Sequence, residues 1–301
     1  MTHVATLISN PATPALDDKA LAGAKVALDG ADEPVWLDRA IAADIPFTAA
    51  GPVDQRTVAA ALRQALAGRP VDVVVQPVPE RRKRLFLADM DSTMIGQECV
   101  DELADYAGVK AHVAAITERA MRGEIAFEPA LRERVALLKG LPQTVVDEVI
   151  EKRIVLSPGG RTLVATMRTH GAYTCLVSGG FTLFTSRIAA MIGFAEHHSN
   201  TLLVDDHGRL SGRVAEPILG REAKLDRLKE LRQRLGLAEQ QTLAVGDGAN
   251  DIPMIEAAGL GVAYHGKPAV AQAAAAQIDH GDLTALLYAQ GYTRAEFVER
   301  G

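Results

Sequence analysis

The sequence predicts an α/β protein in which a parallel sheet with an inserted helical cap (residues 81–301) follows a smaller α+β unit (residues 1–80). Three observations predict it. Short apolar runs at residues 85–88, 173–177, 242–245 and 260–263 are each followed by a turn and a helical pattern, the alternation of a parallel sheet covered on both faces. Residues 98–169, between the first two runs, read almost wholly helical, with Arg, Glu and Leu spaced for amphipathic packing, so an insertion there sits over the strand ends as a cap. The charged run Pro79, Glu80, Arg81, Arg82, Lys83, Arg84 divides the two units and is expected to be a solvated linker.

Within the first unit, residues 3–9 predict a strand, 16–28 an Ala-rich helix, 53–67 a second helix with apolar residues at helical spacing, and 71–78 a strand ending in prolines. Two short strand candidates, 35–37 and 45–48, lie between the helices, which gives the order βαββαβ, the split-βαβ arrangement. In the second unit, residues 202–214 predict a hairpin turning at Asp205-Asp206-His207-Gly208, 221–235 an amphipathic helix, and the Ala-rich stretch 269–276 a further helix.

With 301 residues, 48% of them apolar, the chain is long enough for two packed cores. Its net charge of −6 gives no general attraction to nucleic acid or to an anionic membrane, so an anionic ligand must be met by a few placed cations. No apolar run approaches the ~20 residues that span a bilayer, and the first residues lack a basic segment leading into an apolar one. Cys99 and Cys175 cannot make a disulfide framework and fit a reducing compartment as small buried apolar residues. The expectation is a cytoplasmic protein without a nucleic-acid or membrane partner.

Chemistry enters at the strand ends, where ligands of parallel sheets bind. In Leu85-Phe86-Leu87-Ala88-Asp89-Met90-Asp91-Ser92-Thr93 a buried strand runs into two carboxylates one residue apart; alone, this pair also fits a turn or a helix cap. Val177-Ser178-Gly179-Gly180-Phe181 sets a hydroxyl and two glycines at the end of the next strand, where small residues leave backbone N–H groups free to meet an anion. Val245-Gly246-Asp247-Gly248-Ala249-Asn250-Asp251 brings two acids and an amide to another strand end, and alone it too reads as a turn opening a helix. Together, three such clusters on neighbouring strands converge on one site. Asp89, Asp91 and Asp247 then offer hard oxygen ligands, which suit Mg2+ better than Zn2+, and a metal lets carboxylates meet a dianion. Lys224, on the helix 221–235, is the candidate cation beside them, and attack by Asp89 on phosphorus would split hydrolysis into two easier steps. His197 and His198, with Asp205, Asp206 and His207, form a separate candidate transition-metal cluster, although adjacent histidines and polar hairpin turns are commonly solvated.

In this order, and with a helical insertion after the first, the segments 89–93, 177–181, Lys224 and 246–251 resemble the haloacid dehalogenase (HAD) superfamily of phosphohydrolases. Glu98, nine residues after Asp89, and Phe127-Glu128-Pro129-Ala130-Leu131-Arg132-Glu133-Arg134-Val135 carry a closer resemblance, to its phosphoserine phosphatase family. The resemblance covers about residues 85–263 and rests on several separate motifs coinciding. Met90 stands where phenylalanine is common and Cys99 follows Glu98, but neither departure touches a donor or ligand that the resemblance requires.

The resemblance implies a Rossmann-like HAD core, and an N-terminal unit similar to the ACT type whose role, amino-acid binding or a homodimer contact, stays open. It implies that Asp89 is the nucleophile that becomes phosphorylated, and that Asp91 is the general acid and then the base for the hydrolytic water. Mg2+ would be held by the Asp89 carboxylate, the Asp91 backbone carbonyl and the Asp247 carboxylate. Ser178, the Gly179 N–H, Lys224 and Asn250 would meet the phosphoryl group, with Asp251 orienting Lys224 or the metal shell. Glu98 is similar to the residue that meets the substrate ammonium, and Arg134 to the one that takes its carboxylate. Met121 and Phe127 match apolar positions over the substrate. The implied activity is hydrolysis of a small molecule, phosphoserine, as the last step to serine. The alternative is a phosphotransferase, or a phosphatase for another small phosphomonoester, on the same scaffold.

Overall fold

The computed structural model of the chain describes residues 1–49, 51–121 and 124–299. The first sheet contains β1 (His3–Ser9), β2 (Val35–Asp38), β3 (Ala42–Phe47) and β4 (Val71–Pro77), with α1 (Asp18–Val26) after β1 and α2 (Gln55–Ala65) after β3. Its order is β2-β3-β1-β4 with every neighbouring pair antiparallel, the course that the βαββαβ pattern predicts. Asp17 and Asp54 start the two helices by accepting the N–H groups of Ala20 and Arg56. The two-residue period of the strands then sorts their side chains. Ala5, Leu7, Val73 and Val75 pack with Leu21, Ala24 and Leu62 of the helices, whereas Ile8 and Val74 join the core of the larger unit.

That larger unit is built on a six-stranded parallel sheet made of β5 (Leu85–Ala88), β6 (Tyr173–Phe181), β7 (Glu196–Asn200), β10 (Thr242–Gly246), β11 (Leu260–Tyr264) and β12 (Ala276–Ile278). The order is β12-β11-β10-β5-β6-β7, and β8 (Leu202–Val204) pairs with β9 (Leu210–Val214) as the expected hairpin. Four helices, α3 (Cys99–Tyr106), α4 (Lys110–Met121), α5 (Phe127–Ala136) and α6 (Val145–Lys152), form the insertion after β5. The next helix, α7 (Gly160–Thr169), packs on β6, on α8 (Thr182–Ile192) and on the final helix, so it belongs to the layer over the sheet. The remaining helices are α9 (Arg221–Arg234), α10 (Ile252–Glu256), α11 (Pro268–Ala273) and α12 (Ala285–Ala289).

Three expectations need correction. Strand β7, absent from the expected strands, reads Glu-His-His-Ser-Asn and lacks apolar alternation, which an edge strand can do without, so no period marks it. The Ala-rich stretch forms α11 only as far as Ala273, and residues from Ala276 add the short edge strand β12. The charged run 79–84 is not a solvated linker. Arg81 donates to both carboxylate oxygens of Asp44 at 2.6 Å, to the Thr6 hydroxyl at 2.7 Å, and to the carbonyls of Tyr288 and Ala289. Lys83 is buried and donates to the carbonyls of Glu80 and Gln240, both at 2.8 Å. Arg81 thus adds a cation at the carbonyl end of α12, where the helix dipole favours one. Asp72 of β4 completes the dock by accepting the N–H groups of Asp279, His280 and Gly281. Among the described residues no helix is long and apolar enough to cross a membrane.

Candidate active site

Strand register brings the three motifs together. Ala88 lies opposite Val245 on one side and Leu176 on the other, so Asp89 emerges between the 246–251 and 178–180 loops. The order of the sheet reverses at β5 and β10, the point at which parallel sheets open a crevice. Asp89 is 5% exposed and Lys224 2% exposed, and Lys224 Nζ stands 2.6 Å from Asp89 Oδ1 and 2.6 Å from Asp251 Oδ1. Asp251 Oδ2 accepts the N–H groups of Asp247 and Gly248 at 3.1 and 3.0 Å, which fixes the loop that carries Asp247. Gly246 has to be glycine for this, since a Cβ there would collide with the Asp251 carboxylate.

The carboxylates of Asp89, Asp247 and Asp251 lie within 4.8 Å of one another. Burial first, then the charge of Asp251, pushes the proton affinity of both Asp89 and Asp247 up, while Lys224 opposes the shift. Burial alone would weaken the hold of Lys224 on its proton, but Asp251 and Asp89 outweigh it and keep the ammonium charged. Asp89 Oδ2 takes no hydrogen bond among the described residues, and Asp247 has only Thr93 Oγ1 at 3.3 Å and Lys267 Nζ at 3.8 Å. By contrast, both oxygens of Asp251 are committed. A hard divalent cation fits this donor set: it would take the free lone pairs of Asp89 and Asp247 and relieve their repulsion.

Asp91 turns elsewhere. Its Oδ1 accepts the N–H of Cys99 at 2.8 Å and its Oδ2 the Ser178 hydroxyl at 3.1 Å, so it joins the sheet, the 178–180 loop and the first cap helix. The turn at 90–94 reaches this geometry with Ser92 in the left-handed region at φ 56°, a conformation that a serine holds only where its surroundings enforce it. Burial raises the proton affinity of Asp91, against the bonds from Cys99 and Ser178. Gly180 allows the close approach, since a Cβ there would stand 3.0 Å from both Asp91 Oδ2 and Ser178 Oγ.

The cap meets this crevice from above. Ser92 Oγ donates to Glu98 Oε1 at 2.7 Å. Desolvation first, then the charge of Asp91, moves the Glu98 carboxyl up to about 7, although its open side faces solvent, which screens part of the effect. Arg134 is half-buried, bonds only to the Ala130 carbonyl and the Thr117 hydroxyl, and forms no ion pair among the described residues. Burial weakens its hold on its proton, while Asp101 and Glu98 oppose this. The Phe127 ring stands where a Cβ at Gly179 or Gly220 would meet it, at 3.6 and 3.7 Å, at the edge of the same crevice. The side chain of Met121 lies outside the described residues. Asn250 is half-buried in the loop beside Asp247.

The histidine-rich cluster does not form among the described residues. Asp205 accepts the N–H groups of His207 and Arg209 to close the hairpin, and His197 meets the Thr185 hydroxyl. His198 contacts Glu196 beside Cys175, but Glu196 is already held by Tyr173 and Arg234 at 2.6 Å each. Sequence reasoning missed Thr93, Lys267 and Asn200. The first ends the Asp89 motif and the second follows β11, so a search for polar residues after each strand finds both. Nothing in the sequence marks the third.

The chain matches the family model of haloacid dehalogenase-like hydrolases over residues 86–256. It is 49% identical to a phosphoserine phosphatase of Polaromonas over 209 residues, 68% of this chain and 88% of that protein. It is 44% identical to a phosphoserine phosphatase of Mycobacterium tuberculosis over 78% of this chain, and there it spans only 58% of the relative. A solved HAD family hydrolase from Salmonella enterica superposes with a TM-score of 0.85 at 29% identity, covering 97% of this chain and 98% of the other. A substrate-bound phosphoserine phosphatase complex gives 0.64 at 38% identity, over 69% of this chain and 98% of the other. The chain therefore belongs to the haloacid dehalogenase-like hydrolases, among the phosphoserine phosphatases.

Proposed function

We propose that this chain is a Mg2+-dependent phosphatase that hydrolyses O-phospho-L-serine to L-serine and phosphate through an aspartyl-phosphate on Asp89. The observation that carries the reading is the buried Asp89–Lys224–Asp251 chain beside Ser178, under a cap that offers an acid, Glu98, and an arginine, Arg134, with no ion pair among the described residues. An acid and an arginine together suit a zwitterionic amino acid. Asp89, Asp247 and the backbone of Asp91 would hold Mg2+, which supplies charge neutralisation at the phosphoryl group.

In the first step an Asp89 oxygen attacks phosphorus, the bond from phosphorus to the serine oxygen breaks, and Asp91 gives its proton to that oxygen. The burial that favours the protonated form of Asp91 favours this role. In the second step water attacks the phosphorus, Asp91 takes a proton back, and the bond to Asp89 breaks. Lys224, Ser178 and the Gly179 N–H take up the phosphoryl charge, the main work in phosphoryl transfer. Phe127 helps to exclude water while the cap is shut.

Phosphate release from phosphoserine, phosphothreonine and p-nitrophenyl phosphate, with and without Mg2+, tests the proposal. Phosphoserine should be turned over fastest, and only with the metal. Equal rates on all three would remove the amino-acid specificity, and transfer of the phosphoryl group to an added alcohol would favour a transferase.

A further inference from the structure

We propose that Asn200 is a positioning residue for phosphoryl transfer, setting the 178–180 loop against the helix that carries Lys224. This rests on the phosphatase reading above. Asn200 ends β7, is 2% exposed, and touches none of the groups assigned to chemistry except through backbone. Its Nδ2 donates to the Gly179 carbonyl at 2.9 Å and to the Leu219 carbonyl at 3.2 Å, while its Oδ1 accepts the Leu219 N–H at 2.7 Å.

Each side of this clamp leads directly to the site. The Gly179 carbonyl and the Gly180 N–H belong to one peptide plane, and that N–H donates to Ser178 Oγ at 2.8 Å. Ser178 in turn donates to Asp91 Oδ2. Holding the carbonyl therefore sets the rotation of the peptide, and through it the aim of the Ser178 hydroxyl. On the other side, Leu219 precedes Gly220, the residue that opens α9, and Lys224 lies about one turn further on. Lys224 has to reach two buried carboxylates at once, so a small shift of α9 along its axis would break one of those pairs. One amide thus ties together a phosphoryl-binding loop and a phosphoryl-binding cation that belong to different elements. A buried asparagine that only satisfies an irregular loop would affect folding and leave the division between binding and chemistry alone.

The test uses the full chain with Mg2+ and the variants Asn200→Ala and Asn200→Asp, each checked for folding by circular dichroism. Aspartate keeps the acceptor toward the Leu219 N–H but turns a carboxylate against two carbonyl oxygens, so both variants should lose activity. The expected result is a fall in kcat of about 10- to 100-fold, the scale of a misplaced catalytic group, with a much smaller change in KM. Inhibition by inorganic phosphate should weaken, and inhibition by L-serine, which is met by the cap, should not change. A folded Asn200→Ala or Asn200→Asp variant with wild-type kcat overturns the proposal, as does an equal loss in the phosphate and serine constants. If the wild type turns over p-nitrophenyl phosphate but not phosphoserine, the substrate reading fails, and the same kcat comparison on p-nitrophenyl phosphate still decides the role of Asn200. Should neither variant fold, hydrogen exchange on the unmutated chain decides: a Leu219 amide as slow as the amides of β10 supports the clamp, and one as fast as the 205–208 turn overturns it.

Discussion

Four aspartates, three of them buried, face a single buried lysine across this crevice, and their mutual repulsion is what a bound cation would relieve. Asp89, Asp91 and Asp247 were legible because each sits in a polar cluster that packing does not require at a strand end, and Lys224, on a helix, was legible only as the cation that such a cluster calls for. Glu98 and Arg134 were legible only by resemblance, since a lone charge on a helix carries no signal of its own. Arg134→Lys should raise KM for phosphoserine about 10- to 100-fold with little loss of kcat, because lysine cannot form the bidentate pair. Phosphoethanolamine, which lacks the carboxylate, should show no such change, and steady-state kinetics on both substrates checks this. Glu98 gives a pH prediction. Burial, then the charge of Asp91, raises its folded-state carboxyl from the ordinary glutamate range to about 7, so the folded protein holds the proton more tightly than the unfolded chain does. Its contribution to stability is present below the lower value and is lost as pH rises through the upper one. Without divalent metal, the Tm of the wild type should therefore fall relative to Glu98→Gln between about pH 4.5 and about pH 7, and a constant gap would contradict the assignment.

At the scale of elements, period and turn chemistry revealed the strands that carry apolar runs, and hid β7 and β12, whose residues are polar or few. The charged run before β5 shows the limit of composition as a guide. Its arginines and lysine look solvated in sequence, yet Arg81 is spent on a buried carboxylate and on the carbonyl end of α12. Arg81→Ala would leave Asp44 buried without its cation, a loss of about 3–5 kcal/mol. Urea unfolding monitored by circular dichroism would report it as a lower midpoint. A loss of under about 1 kcal/mol, the scale of an exposed pair, would mean that water replaces the guanidinium.

At the scale of the whole molecule, the N-terminal sheet is buried on both faces and shares apolar residues with the core of the larger unit. One cooperative calorimetric transition is expected for the wild type, and Arg81→Ala should separate it into two; two transitions in the wild type would show that the units fold independently. The parallel sheet with its cap was legible because alternation of strand and helix is a long-range pattern, while the junction depends on single side chains that meet only after folding. The proposed reaction turns on one chemical event, the transfer of a phosphoryl group to Asp89. Acid-quenching the enzyme during turnover of phosphoserine with Mg2+, followed by mass analysis of the peptide containing Asp89, tests that event most directly. One added phosphoryl group on Asp89, absent from an inactive Asp89→Asn variant, is the expected result; steady phosphate release by Asp89→Asn, or none of the label on Asp89 under any quench, would contradict it.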